Sequence, residues 1–138
     1  MIKELTPPEA SNMLANKTGA LLIDVRSTME YDYVGHPLNS IHIPIKEPPG
    51  WEVDTGFVDK VRKKLVEHEI NEPTLEDTPL LLLCRSGKRS ELAAQLLEKD
   101  GFKELYNVIE GFEGDKDENG HRNTLNGWRY HKLPWEQS

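Results

Sequence analysis

The segment 79–101, PLLLLCRSGKRSELAAQLLEKDG, contains the features that decide the fold of this chain. It opens with the uninterrupted apolar run Leu80–Leu83, which is typical of a strand buried on both faces of a parallel sheet. A polar loop follows, and apolar residues then recur at helical spacing from about Ser90, with Gly101 expected to cap the helix. The order strand, loop, helix is typical of α/β proteins.

The only cysteine of the chain, Cys84, ends this apolar run and is followed directly by a cationic loop. Successive backbone N–H groups of such a loop can point at a common centre, and a helix N-terminus behind them adds partial positive charge. With Arg85, Lys88 and Arg89, this environment is expected to stabilise a thiolate and to make the sulfur nucleophilic. The alternative is that Cys84 is only a small buried apolar residue, which leaves the clustered cations unexplained.

The composition limits the classes of function. A chain of 138 residues without an internal repeat or linker suits one domain, so residues 1–138 are predicted to form a single domain. The net charge of −7 argues against nucleic-acid or anionic-membrane partners. A single cysteine excludes an intrachain disulfide and a multi-cysteine zinc site. No segment resembles a signal peptide or a bilayer span, so a cytoplasmic location is expected.

Strand and helix patterns alternate along the rest of the chain. A short strand at Ile2–Leu5 precedes a capping box from Thr6 to Glu9, and Ala20–Val25 predicts a second buried strand. Together the patterns predict an α/β fold with a mostly parallel central sheet of about five strands flanked by helices. Further strands are predicted at 40–44 and 105–109 and helices at about 55–70 and 123–131, with a connection at 71–78. Trp51 is expected either to cover part of the site or to anchor its loop by burial, and burial is the more common outcome.

Residues 115–120, DKDENG, resemble the opening of a calcium-binding loop. The position that should supply a bidentate glutamate is Asn126, however, and no clear helix precedes the segment. The segment is therefore predicted to be a solvated surface loop, and no metal is expected in this protein.

Three blocks of the sequence together resemble the rhodanese domain, a single-domain sulfurtransferase family. The likeness covers nearly the whole chain in the expected order, although the GHIPGA motif of the family loses a glycine here and segment 114–126 is longer than in compact members. The resemblance implies one rhodanese-like α/β domain. The blocks are Leu22–Arg26 with Glu30 and Tyr31, Gly35-His36 leading to Ile41–Pro44, and Cys84–Ser90.

The resemblance implies that Cys84 is the catalytic residue of a sulfurtransferase. Its thiolate would take the outer sulfur of a donor such as thiosulfate and hold it as a persulfide, until cyanide or a thiol acceptor removes it. Asp24 and Arg26 would support the loop, and no metal or organic cofactor is implied. The residues implied in binding the donor and the persulfide are Arg85, Ser86, Gly87, Lys88, Arg89 and Ser90.

Two other functions remain open. One is a persulfide carrier or binding module that serves a protein acceptor. This chain retains the cysteine and the cationic loop that a carrier needs. The other is a phosphatase or arsenate reductase of the same architecture, in which seven residues run from the cysteine through the catalytic arginine. Here Cys84 to Arg89 is six residues, which favours a single sulfur over a tetrahedral oxyanion.

Overall fold

The computed structural model describes residues 1–70 and 74–138, and its centre is a five-stranded parallel sheet. This sheet confirms the predicted α/β fold. Residues 71–73 of the predicted connection 71–78 lie outside the described residues. In chain order the strands are β1 (Ile2–Leu5), β2 (Leu21–Asp24), β3 (His36–Pro37), β4 (Ile41–His42), β5 (Leu80–Leu83), β6 (Leu105–Val108) and β7 (Trp135–Glu136).

The strand order in the sheet is β1-β6-β5-β2-β4, and every neighbouring pair is parallel. The carboxyl ends of β5, β2 and β6 therefore meet at one edge, where open parallel sheets usually bind ligands. A separate antiparallel pair, β3 with β7, joins residues 36–37 to residues 135–136.

In residues 1–70 and 74–138, three α-helices cover the sheet: α1 (Pro7–Asn16), α2 (Phe57–Glu67) and α3 (Lys88–Lys99). The predicted capping box of α1 is present, because the Thr6 N–H donates to Glu9 Oε1 at 2.8 Å and the Glu9 N–H donates to Thr6 Oγ1 at 3.4 Å. The structure also has a π-helical turn at Glu30–Val34 and a 3₁₀ turn at Leu75–Asp77. Among the described residues, no helix has the length and apolar character needed to cross a bilayer.

The uninterrupted leucine run of β5 is explained by apolar packing on both faces of the sheet. Leu80 and Leu82 lie in the cluster that includes α2 and α3, whereas Leu81 and Leu83 lie in the cluster that includes α1. Successive strand residues point to opposite faces, so a strand covered on both sides needs apolar residues at every position.

The predicted helix at 123–131 is wrong, and this segment forms a series of turns. Its amides bond to other parts of the molecule: the Gly127 N–H donates to Glu110 Oε1 at 3.0 Å, and the Trp128 N–H donates to the Gly111 carbonyl at 2.8 Å. Asn123 has a positive φ of 65°, which interrupts a right-handed helix. Smaller boundary differences also occur, because α3 begins at Lys88 rather than near Ser90 and α2 spans 57–67 rather than 55–70.

Candidate functional site

Cys84 directly follows β5, and its side chain is 1% exposed. The Gly87 N–H donates to Cys84 Sγ at 3.1 Å. Gly87 has a φ of 112°, which favours glycine, and it forms the N-cap of α3. The structure thus brings the sulfur, a loop amide and the first turn of α3 together. Amides of a helix's first turn have no partner within the helix, so they favour negative charge at this place.

The loop 84–90 is held from the other side by residues that follow β6. The carbonyls of Cys84 and Arg85 accept the N–H groups of Phe112 at 2.8 Å and Glu113 at 3.0 Å. Gly111 passes so close that a Cβ there would lie 2.5 Å from both carbonyl oxygens. The conformation of the cysteine loop therefore depends on the turn at 110–113.

A buried polar network adjoins the sulfur and includes a residue that the sequence analysis missed, Asn107. Ser90 Oγ lies 3.3 Å from Cys84 Sγ and 2.5 Å from Asn107 Oδ1. Asn107 Nδ2 donates to the Gly87 carbonyl at 3.1 Å, so one carboxamide contacts both the loop and the first turn of α3. The signal for Asn107 was a single polar residue inside the predicted strand at 105–109.

The side chains of the three loop cations lie in different environments. Arg89 is 18% exposed and forms two bonds with the Glu30 carboxylate, at 2.7 and 2.9 Å. Arg85 and Lys88 are exposed, and Ser86 is half-buried. The charge of Arg89 is therefore held in an ion pair with Glu30, whereas the cationic side chains of Arg85 and Lys88 are exposed.

The ion pair between Glu30 and Arg89 shifts the pKa of both partners. Burial opposes ionisation of Glu30, but the bonds and charge of Arg89, together with Ser27, outweigh it and lower the pKa of Glu30 to about 2. Burial likewise disfavours the charged form of Arg89 and would lower its pKa. The carboxylate of Glu30 and, more weakly, the charge of a Cys84 thiolate outweigh burial and raise the pKa of Arg89. Both side chains are therefore ionised at neutral pH.

The substitution Glu30→Gln is expected to lower the free energy of unfolding by about 1–2 kcal/mol at neutral pH, because it removes a charge-assisted pair with Arg89. The folded-state pKa of Glu30, about 2, is below its ordinary value of 4.5. Its stabilising contribution is therefore complete above pH 4.5 and is lost as the pH falls towards 2. When unfolding in urea is measured between pH 4.5 and 2, the variant should lose less stability on acidification than the wild type. Parallel curves would contradict this assignment.

Asp24 and Arg26 form a fully buried ion pair, with Arg26 Nη2 lying 2.7 Å from Asp24 Oδ2. The same nitrogen donates to the Gly35 carbonyl at 2.6 Å, and the guanidinium lies 4.3 Å from the centre of the Phe112 ring. Among the described residues, neither side chain bonds directly to the cysteine loop. Arg26 reaches the loop through Phe112, whose amide binds the Cys84 carbonyl. The charge of Asp24 adds a weak contribution that raises the pKa of Arg89.

An open cavity of about 960 Å³ borders the loop at Arg85 and Arg89. One wall includes Trp51, which is 46% exposed, so of its two predicted roles burial is wrong, and the side chain borders the cavity beside the loop. Another part of the lining consists of residues 120–123, which begin at the last residue of the predicted surface loop 115–120. Lys88 does not line this cavity, whereas Glu113 does. Within the described ranges, no three His, Cys, Asp or Glu side chains are grouped as a metal site would require.

Comparisons with known proteins agree with this architecture. The family model described as rhodanese-like domain matches residues 6–118. RP600 of Rickettsia prowazekii is 32% identical over 139 residues, covering 99% of this chain and 98% of that protein. The crystal structure of Rv0390 from M. tuberculosis has 32% identity and a TM-score of 0.82, covering 99% of this chain and 98% of its own. The thiosulfate sulfurtransferase GlpE of Haemophilus influenzae is 28% identical over 112 residues, covering 81% of this chain and 86% of that protein. The chain belongs to the rhodanese-like domain family.

Proposed function

We propose that this protein is a sulfurtransferase that carries a sulfane sulfur on Cys84. The observation that carries the proposal is the position of Sγ, at the N-terminus of α3 and 3.1 Å from the Gly87 amide nitrogen. An anionic sulfur at this place is stabilised by a preorganised N–H group and by the helix dipole. Membership of the family that includes a thiosulfate sulfurtransferase supports the same chemistry.

In the first half-reaction, the Cys84 thiolate attacks the outer sulfur of thiosulfate. A bond forms between the two sulfurs, the S–S bond of thiosulfate breaks with its electron pair, and sulfite leaves. The products are the Cys84 persulfide anion and sulfite, so the charge and the atoms balance without an external oxidant. Arg85 is exposed at the cavity beside the loop and would attract the sulfonate group of the donor.

The hydroxyl of Ser90 would respond to the charge of the sulfur. Its single proton points to one partner at a time, Asn107 Oδ1 at 2.5 Å or Cys84 Sγ at 3.3 Å. With a neutral thiol, the hydroxyl donates to Asn107 and accepts from the sulfur. With a thiolate, it turns and donates to the sulfur. Asn107 is then a positioning residue that acts through Ser90.

The substitution Asn107→Leu is expected to lower the free energy of unfolding by about 1–3 kcal/mol, because two buried hydrogen bonds are lost. The Gly87 carbonyl loses the shorter of its two donors and keeps the Glu91 N–H at 3.3 Å, and Ser90 loses the shorter of its two contacts. The matched variants are Ser90→Ala and the double substitution. If the side chains form one network, the double-mutant cycle in urea gives a coupling of about 0.5 kcal/mol or more. Strictly additive losses would show that Asn107 acts only on Gly87.

The proposed function is tested by mass spectrometry of the intact, reduced protein after incubation with thiosulfate. The expected result is a gain of one sulfur atom that cyanide removes. Protein alkylated at its single cysteine beforehand is the control and should gain nothing. A reduced, reactive thiol that gains no sulfur from thiosulfate would overturn the proposal.

A persulfide carrier for a protein acceptor is the second candidate, and the same experiment separates the two. The loaded protein is mixed with a small thiol, and the loss of the extra sulfur is followed. An enzyme that uses small acceptors discharges under these conditions, whereas a dedicated carrier keeps its sulfur. Phosphatase chemistry is less favoured, because both terminal nitrogens of Arg89, the arginine that would hold a phosphate, already donate to the Glu30 carboxylate.

A further inference from the structure

The cavity beside the cysteine loop is larger than thiosulfate requires. Its volume of about 960 Å³ suits a ligand the size of a small organic molecule, and thiosulfate has only five heavy atoms. Arg85 and Arg89 lie on its border, so a molecule bound there is next to the loop that contains Cys84. The second substrate of a sulfurtransferase, the acceptor, must approach the same loop.

One wall of this cavity is apolar and exposed. Met29 and Trp51 are 59% and 46% exposed. The segment with Trp51 is tied to the turn before Met29, because the Glu47 carboxylate accepts the Thr28 N–H and the Thr28 hydroxyl, both at 2.6 Å. Two large apolar side chains held at a cavity mouth favour a ligand with an apolar segment.

Residues 120–123 of the loop 114–126 also line the cavity, and this loop has a defined internal structure. Asp117 Oδ1 accepts the His121 N–H at 2.9 Å, and its Oδ2 accepts the Thr124 hydroxyl at 2.8 Å. These bonds lower the pKa of Asp117, the His121 amide contributing most. Arg122 Nη1 donates to the Gly114 carbonyl at 2.6 Å, which fixes this half-buried guanidinium at the cavity wall. Residues 119–126 lie after the stretch that the family model matches.

The charges of this cavity favour an anion with a second polar group. Glu30 neutralises Arg89, so Arg85 and Arg122 are the lining arginines without a carboxylate partner among the described residues. Glu113 is the other carboxylate among the described residues that line the cavity, and His121 also lines it. Two such arginines against one carboxylate give a local positive excess in a protein of net charge −7.

We propose that this cavity binds the sulfur acceptor and selects an organic thiol that has a short apolar chain and a carboxylate. Arg122 binds the carboxylate, with Arg85 nearby, and the chain lies against Met29 and Trp51. The inference rests on the proposed function. In the step it serves, the acceptor thiolate attacks the outer sulfur of the persulfide, the S–S bond to Cys84 breaks, and Cys84 leaves as a thiolate while the acceptor becomes a persulfide.

The first measurement is binding of 3-(methylthio)propionate and of its methyl ester to the full chain by calorimetry. Neither compound has a free thiol, so binding is read without any sulfur transfer. The acid is expected to bind about tenfold more tightly than the ester. Arg122→Gln should remove this preference, Arg122→Lys should keep part of it, and Lys116→Gln should leave it unchanged. Lys116 is the matched control, an exposed cation on the same loop that does not line the cavity.

The second measurement is discharge of the loaded protein by 3-mercaptopropionate and its methyl ester, compared at equal thiolate concentrations. The Arg122→Gln variant should lose about tenfold in the rate with the acid at low concentration and little with the ester. Equal losses with acid and ester, or a wild type without preference for the acid in binding, would overturn the inference. Failure to load sulfur from thiosulfate would instead overturn the proposed function, whereas the binding result would still decide whether the cavity selects a carboxylate through Arg122.

Discussion

The substitution Cys84→Ser is expected to lower the rate of sulfur transfer from thiosulfate by at least about 10⁴-fold, which is the scale of losing a nucleophile. A serine hydroxyl is almost entirely protonated at neutral pH and is a weak nucleophile without a general base. Replacing sulfur by oxygen changes little else, because the site is compact and a hydroxyl can still accept the Gly87 N–H. The measurement is sulfite release under saturating donor, with cyanide as the acceptor.

The control for Cys84→Ser is its stability. The variant should unfold in urea within about 1 kcal/mol of the wild type, because both side chains are small and the backbone is unchanged. A folded variant without activity assigns the chemistry to the sulfur. Residual turnover above a few per cent of the wild-type rate would mean that another group accepts the sulfur.

The second large effect is expected from Gly111→Ala. The added Cβ would lie 2.5 Å from the carbonyl oxygens of Cys84 and Arg85, so the backbone of one segment must move. The φ of 66° adds a cost of about 1–2 kcal/mol for a residue with a side chain. We expect a total loss of about 3 kcal/mol in the free energy of unfolding. We also expect about a hundredfold loss in the rate, since a displacement near 1 Å misplaces the nucleophile.

The matched control is Gly19→Ala. Gly19 also has a positive φ, 85°, but a Cβ there has no atom within 4 Å. This variant should lose only the conformational part of the stability, and its rate of sulfur transfer should not change. If Gly111→Ala keeps full activity in its folded fraction, then the turn at 110–113 does not control the cysteine loop.

The order of elements and the position of the cysteine loop could be predicted from the sequence because their signals are local. The apolar run Leu80–Leu83 and the capping box at Thr6 each depend on neighbouring residues. The contacts around the sulfur are of another kind. Arg89 meets Glu30 across 59 residues, and Ser90 meets Asn107 across 17. No periodicity records such a contact, so the pairing of Arg89 with Glu30 could not be predicted from sequence patterns. The polar residue inside the predicted strand at 105–109 marks Asn107, but it does not show which groups Asn107 contacts.

The helix predicted at 123–131 shows how tertiary contacts override local preference. The segment contains residues compatible with a helix, but its amides bond to Glu110 and Gly111. For Trp51 the sequence left two roles open, burial under its loop or a position over the site, and the side chain lines the cavity. Both differences concern segments that surround the site, where positions are set by several parts of the chain at once.

The pairing of β6 with both β1 and β5 affects folding while the chain is being synthesised. These strands are about a hundred residues apart in the chain, and β6 also pairs with one edge of the fully buried β5. During synthesis from the N-terminal end, four consecutive leucines therefore leave the ribosome well before the strand that covers that edge. An exposed apolar strand edge promotes association between chains. The yield of correctly folded protein should therefore depend on how quickly residues 84–108 follow the leucine strand, and on whether a chaperone shields it in the interval.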